Sequence, residues 1–135
     1  EQMDANGFPA PLIIALAIEV AKGRKALAQS KFDQAIAHFS QAVALQIKVP
    51  YNEPPFWYYP VNQSLGAAYF KAGRYAEAKN AFKAALFDAP NSALALYGLA
   101  QTEAKLGNRL ERQAAEKAFK ALWRGERVSP NMDRI

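Results

Sequence analysis

Apolar residues recur at helical spacing over most of the chain. In the middle of the chain the clearest series is Leu65, Tyr69, Ala78, Phe82 and Ala85. Steps of three or four positions place side chains on one face of an α-helix. The abundance of Ala and Leu relative to β-branched residues also favours helix over strand. The pattern predicts no strand and six helices, at about residues 10–29, 32–48, 60–72, 75–88, 92–106 and 109–124.

The predicted helices are separated by residues that end or begin helices. Gly73 and Gly107 follow the last residues of two helices, where a left-handed backbone is favoured. Pro90 stops the helix before it, and Asn91 or Ser92 can cap the next one with a side-chain oxygen. These residues divide the second half of the chain into short helical hairpins.

The segment between Tyr59 and Asn91 carries an ordered set of small and large residues. In chain order they are Leu65, Gly66, Tyr69, Gly73, Tyr75, Ala78, Phe82, Ala85 and Pro90. A Leu-Gly pair followed by Tyr, Ala, Phe and a closing Pro at these distances is the signature of the tetratricopeptide repeat. The segment therefore resembles that family, with Asn62 standing where the repeat has its first aromatic residue.

The same set returns on both sides of this segment. Downstream, at shifts of 34 and then 37 residues, it consists of Leu99, Ala100, Gly107, Ala115, Phe119 and Leu122. Upstream, at a shift of 43 residues, it consists of Gly23, Ala26, Phe32, Ala35, Phe39 and Ala42. The main departure is Glu103, which stands where the repeat has Tyr.

The resemblance implies an all-α fold, namely a right-handed α-solenoid of three tetratricopeptide-like hairpins. We expect a single domain over residues 1–135, with hairpins at about 10–48, 59–90 and 92–124, an inserted loop at 49–58 and an irregular tail at 125–135. Where two helices of a hairpin cross, small residues such as Gly66 and Ala78 would let the backbones approach closely. Phe39, Phe82 and Phe119 would fill the space toward the next hairpin.

The inserted loop is rich in proline and aromatic residues. It holds or adjoins half of the eight prolines and has five aromatic residues, Tyr51, Phe56, Trp57, Tyr58 and Tyr59. In a structural interpretation the aromatic side chains fill the gap between the first two hairpins, and Glu53 caps the start of a helix. In a functional interpretation some of them, with Glu53, Trp57 and Tyr58 as candidates, are exposed anchors for a partner.

A second resemblance comes from this loop and the helix after it. The series Tyr51-x-Glu53-Pro54-Pro55-x-Trp57-Tyr58-Tyr59-Pro60, continued by Gln63 to Ala68, is similar to the C-terminal part of long bacterial tetratricopeptide proteins of undefined function. The similarity extends from about Ile36 to the Phe119-x-x-x-Trp123 helix. It implies that the chain, which begins with Glu1 rather than Met, is the end of a longer solenoid, and it implies no activity.

The residue content argues against catalysis and cofactor binding. There is no Cys, and His38 is the only histidine, so thiolate nucleophiles and multi-His metal sites are excluded. We interpret His38 as a half-exposed helix residue. No glycine-rich phosphate loop is present. The longest apolar run, from Pro11 to Ile18, is too short to span a bilayer. The composition is compatible with the cytoplasm and with a periplasmic or secreted location.

The resemblance implies that the first helix of each hairpin lines a concave groove. By the phase of the repeat, the candidate groove residues are Arg24, Gln63, Phe70, Lys71, Tyr97, Gln101 and Lys105. Three cations among apolar residues suit a protein or peptide partner with an acidic group; the competing interpretation is an ordinary solvated helix face. The slots of the chaperone-tail carboxylate clamp hold Val20, Arg24, Ser64, Leu94 and Gly98, and with one cation they do not favour that ligand.

Two other binding modes compete with a peptide groove. The net charge is +5, and the last helix carries Arg109, Arg112, Lys117, Lys120 and Arg124. Acidic residues interleave with them, which favours a solvated face over weak nucleic-acid binding. The first helix is apolar on more than one face through Leu12, Ile13, Ile14, Leu16, Ile18 and Val20, which would allow self-association into a homodimer.

Overall fold

Three consecutive helical hairpins make up the fold. The computed structural model describes residues 8–124 and 130–135. The helices are α1 (Ala10–Ala28), α2 (Phe32–Gln46), α3 (Asn62–Lys71), α4 (Tyr75–Asp88), α5 (Ala93–Leu106) and α6 (Arg109–Leu122). No strand occurs within those two ranges. The prediction of an all-α fold with six helices is confirmed, and each boundary lies within two residues of the predicted one.

The helices stack in the order of the sequence. Each helix packs against the next, and α3 also contacts α5, the first helix of the following hairpin. This arrangement is typical of a solenoid, in which each repeat buries its apolar face against its neighbour. The α3–α5 contact places these two helices side by side.

The Phe82 ring joins α3, α4 and α5. It is fully buried. A Cβ atom on Gly66 of α3 would lie 2.9 Å from this ring, and one on Gly98 of α5 would lie 2.3 Å from it. Both glycines therefore make room for the same side chain. The sequence analysis expected Gly66 to face the small residue Ala78, whereas the atoms nearest a Cβ on Gly66 belong to Phe82; the approach at Gly98 was not expected.

The turns have the predicted geometry. Gly73 and Gly107 adopt left-handed backbone angles, with φ of 74° and 76°. Of the two candidates for the α5 cap, Ser92 is the one used: its Oγ accepts a hydrogen bond of 3.2 Å from the Ala95 N–H. These local predictions are confirmed because they depend only on neighbouring residues.

The C-terminal segment is more ordered than expected. The predicted irregular tail at 125–135 lies partly outside the described residues, at 125–129. Met132–Arg134 form a 3-10 turn, so the prediction is wrong there. Met132 is 7 % exposed and Ile135 is 2 % exposed. The order comes from burial of these two side chains against the helices, which single-chain periodicity does not reveal.

Candidate functional site

Two of the predicted groove cations border a cavity that the C-terminal segment partly fills. The cavity has a volume of about 330 Å³, and Arg24 of α1 and Lys71 of α3 line it together with Ser64, Asp133 and Ile135. The Lys71 Nζ lies 2.7 Å from an Asp133 carboxylate oxygen. A cation predicted to meet an acidic group of a partner thus meets one from the same chain.

A second cavity shares Arg24 and Ile135 with the first. Its volume is about 450 Å³, and it is lined by Arg24, Gln63 and Leu94 together with Arg134 and Ile135. Both cavities border the C-terminal segment, which lies against α3. Residues of α1, α3 and α5 therefore surround a short stretch of peptide.

The segment is held by apolar and polar contacts. Met132 and Ile135 belong to the apolar cluster that contains Ala67 of α3 and Ala95 of α5, with Tyr97 packed against it. The buried Ser64 hydroxyl donates a hydrogen bond of 2.9 Å to the main-chain oxygen of Ile135. Main-chain recognition of this kind holds a peptide irrespective of its side chains.

Gln63 and Arg24, both predicted to face a ligand, have partners within the fold. Gln63 is 5 % exposed, and its Oε1 accepts a hydrogen bond of 2.7 Å from the Ser92 hydroxyl. Ser92 thus caps α5 and links it to α3. Arg24 is exposed, and its Nη2 donates to the Tyr59 hydroxyl at 3.4 Å. Gln63 has a structural role, while Arg24 keeps most of its guanidinium in solvent.

The other predicted groove residues are divided between two places. Phe70 packs edge-on against Tyr75, with ring centres 5.3 Å apart. Tyr97 packs against Phe119 at 5.7 Å, which extends the α5 surface toward α6. The last two predicted residues, Gln101 and Lys105, line neither of the two cavities. Arg24 and Lys71 therefore line one cavity, and Lys105 does not line it.

The inserted loop lines a third cavity, which shares Tyr58 and Tyr59 with the second one. Its volume is about 440 Å³, and its lining includes Trp57, Tyr58 and Ile47. Trp57 packs against the apolar cluster of α1 and α2, whereas Tyr58 is 79 % exposed. The packing of Trp57 agrees with the structural interpretation, and Tyr58 has the exposure that the functional interpretation requires.

One polar side chain of α2, Gln46, makes two hydrogen bonds to the end of the loop and the residue before α3. The Gln46 amide donates to the Tyr59 carbonyl at 2.9 Å and accepts from the Val61 N–H at 2.8 Å. The sequence analysis missed Gln46, since nothing in the helical pattern marks it. The expectation that Glu53 caps a helix is wrong: its carboxylate accepts a hydrogen bond of 2.7 Å from the Tyr51 hydroxyl, and no side chain caps α3.

The middle of the chain matches a known family. Residues 61–102 match the family model described as Tetratricopeptide repeat. This part of the chain is a tetratricopeptide repeat. The matched residues cover α3, α4 and most of α5, the part in which Phe82 joins three helices. No curated protein matches the chain.

An ion pair links the second and third hairpins. The Glu103 side chain on α5 is 1 % exposed, and Lys79 Nζ of α4 lies 2.8 Å from its Oε1. Asn108 donates to Oε2 at 2.6 Å. Burial alone would raise the pKa of Glu103, but the hydrogen bonds from Lys79 and Asn108 outweigh it and hold the pKa below its ordinary value. Glu103 thus replaces the repeat's Tyr with a paired charge.

A second polar cluster lies on the first hairpin. Glu19 of α1 contacts Lys22 Nζ and His38 Nδ1, each at 2.8 Å. The hydrogen bond from Lys22, followed by that from His38, lowers the pKa of Glu19 below its ordinary value. His38 is 35 % exposed, in keeping with an ordinary helix residue that pairs across a hairpin.

The two surfaces considered for other binding modes are both accessible. Ile14 and Ile18, four residues apart on α1, are 59 % and 48 % exposed. The five basic residues of the last helix region are exposed, and Arg112 donates to Glu116 at 2.8 Å. No described helix is long and apolar enough to cross a membrane. In the described ranges no three His, Asp or Glu side chains gather in a way that could hold a metal ion.

Proposed function

We propose that the chain is a non-catalytic interaction module that binds a short peptide segment of a partner protein on the surface of α1, α3 and α5. Tetratricopeptide repeats form a scaffold fold that suggests protein interaction. The observation that supports this particular surface is the C-terminal segment itself. Peptide backbone, apolar side chains and a carboxylate already find complementary groups there, at Ser64, Ala67 and Lys71.

The charge of the surface favours an acidic partner. Arg24, Lys71 and Lys105 project from the first helices of the hairpins, and Arg24 and Lys105 are exposed. Cations on a surface of this kind accelerate encounter with an acidic segment and select against a basic one. The inserted loop, through the exposed Tyr58, is a second contact for a longer partner.

Reversing the exposed charges of the groove should weaken peptide binding. We would select peptides from a displayed random library on the wild-type chain and on a chain with Met132→Ser/Ile135→Ser. Affinity for selected acidic peptides should fall at least about tenfold in Arg24→Glu/Lys105→Glu, because like charges then face each other. Fluorescence anisotropy measures the change.

The matched control carries the same change of charge elsewhere. Lys117→Glu/Lys120→Glu reverses two exposed cations on α6 and should leave the affinity within about twofold, since the net-charge effect alone is screened by salt. If neither selection yields a peptide, or if both double variants weaken binding equally, the proposed groove is wrong.

The exposed face of α1 supports self-association as a second candidate function. Ile14 and Ile18 form an exposed apolar pair on a helix that already buries Leu16 and Val20 inward. In that case light scattering should give twice 14.9 kDa, and Ile14→Glu/Ile18→Glu should return the mass to that of one chain. A wild-type monomer at about 100 μM, far above the Kd of a stable dimer, would contradict this function.

A further inference from the structure

We infer that residues 132–135 are a built-in ligand of the groove, and that the groove recognises partner peptides of the same pattern: two apolar residues three positions apart, with a carboxylate directly after the first. This inference deepens the proposed function and rests on it. In the chain itself the pattern is Met132-Asp133-Arg134-Ile135. The partner of this chemistry competes with the chain's own segment for one site.

The geometry of the segment explains the spacing of the apolar residues. A 3-10 turn has three residues per turn, so residues three apart point to the same side. Met132 and Ile135 both point into the apolar cluster of α3 and α5, while Asn131, Asp133 and Arg134 are exposed. A ligand segment therefore needs its apolar pair at this spacing, and the intervening residues can vary as far as the surface around them allows.

The position of the carboxylate follows from Lys71. Asp133 is 65 % exposed and Lys71 is 33 % exposed, so their ion pair lies in solvent. Exposed pairs contribute little affinity because water and salt screen them. The pair instead fixes which way the segment runs and discriminates against a basic residue at that position.

The main-chain contact favours a peptide backbone oxygen that reaches Ser64, whatever the side chains of that peptide are. Ser64 is 1 % exposed, and its hydroxyl lies 3.1 Å from the Tyr59 hydroxyl and donates to the Ile135 main-chain oxygen. Occupation of the site gives the buried hydroxyl a carbonyl acceptor in addition to the Tyr59 hydroxyl, so the site favours some peptide backbone. The chain meets this requirement with its own residues when no partner is bound.

An attached ligand lowers the apparent affinity for a free one. A short tether typically gives an effective concentration of about 1 mM. If the free segment binds with a Kd of about 100 μM, its tethered copy reduces the apparent affinity of a competing peptide about tenfold. A partner peptide must therefore have enough affinity to displace the tethered segment.

The test uses the full chain and a labelled hexapeptide of the sequence of residues 130–135. Fluorescence anisotropy should give a Kd about tenfold lower for Met132→Ser/Ile135→Ser than for the wild type, because the substituted segment no longer competes. Asn131→Ser, which changes an exposed residue of the same segment, should bind like the wild type. A hexapeptide with Ser at both apolar positions should not bind any of these proteins.

A charge exchange tests the orientation. Adding Lys71→Glu to Met132→Ser/Ile135→Ser should weaken binding of the hexapeptide about two- to fivefold at low salt. A hexapeptide with Asp133→Lys should recover that loss, which a general effect on folding would not produce. Far-UV circular dichroism checks that each variant is folded.

The outcomes separate this inference from the proposed function. The inference is overturned if the folded Met132→Ser/Ile135→Ser chain binds the hexapeptide no better than the wild type does, since residues 132–135 are then only a structural plug. It is also overturned if peptides selected on that chain lack the pattern but depend on Arg24 and Lys105, in which case the proposed function stands. If the binding of no peptide depends on the groove residues, both the inference and the proposed function are wrong.

Discussion

Replacing Phe82 with Ala should lower the free energy of unfolding by about 3–5 kcal/mol. The ring is fully buried and fills the space left by Gly66 and Gly98 on two different helices. Those glycines cannot move inward enough to close the cavity, because their helices are held by the rest of the solenoid. Domains of this size have a total stability of about 5–15 kcal/mol, so the variant should lose a large share of it.

Phe87→Ala on the same helix is the matched control. Phe87 is 89 % exposed, so its removal should change the stability by no more than about 0.5 kcal/mol. Urea titrations followed by circular dichroism compare the two variants. A loss below about 1 kcal/mol for Phe82→Ala would contradict the role assigned to the ring as the joint of three helices.

Replacing Lys79 with Met should lower the free energy of unfolding by about 3 kcal/mol at neutral pH. The substitution leaves the Glu103 carboxylate, whose side chain is 1 % exposed, without its cation. Breaking a buried pair costs about 3–5 kcal/mol, and the partial exposure of Lys79 favours the lower end. The double variant Lys79→Met/Glu103→Leu should recover most of the loss, since it removes the charge together with its partner.

The same pair makes stability depend on pH. The pKa of Glu103 is lowered in the folded protein, so its contribution is complete above about pH 4.5 and is lost as the pH falls through the folded-state value. The stability difference between wild type and Glu103→Gln should therefore shrink in acid. An unchanged difference at pH 3 and pH 7 would contradict the ion pair, and Lys117→Met serves as the control for a general charge effect.

The fold follows from the sequence because its determinants are local and repeated. The small residue at Gly66 and the Phe at Phe82 have counterparts in both neighbouring hairpins, and each helix packs mainly against the next one along the chain. Gly73 and Gly107 define turns through their own backbone angles. Such features are visible without knowledge of distant contacts.

The site was only partly predictable because its contacts are long-range. Arg24 and Lys71 line one cavity, but the Gln63 side chain accepts a hydrogen bond from Ser92, 29 residues away, which the repeat pattern did not indicate. Met132 lies in a short segment without a repeated counterpart, so the periodicity of apolar residues did not predict its burial. The position of Glu103 in place of Tyr was a visible anomaly, but nothing local identified Lys79 as its partner.

The shared contact of Phe82 with Gly66 and Gly98 bears on how repeats can be exchanged between proteins. A crossover placed in the turn between α4 and α5 would pair this ring with a foreign helix that needs its own glycine at the position of Gly98. A crossover at Gly73 keeps Phe82 with Gly98 but needs a glycine at the position of Gly66 on the foreign α3. A cassette that runs from α3 to α5 keeps the ring with both glycines.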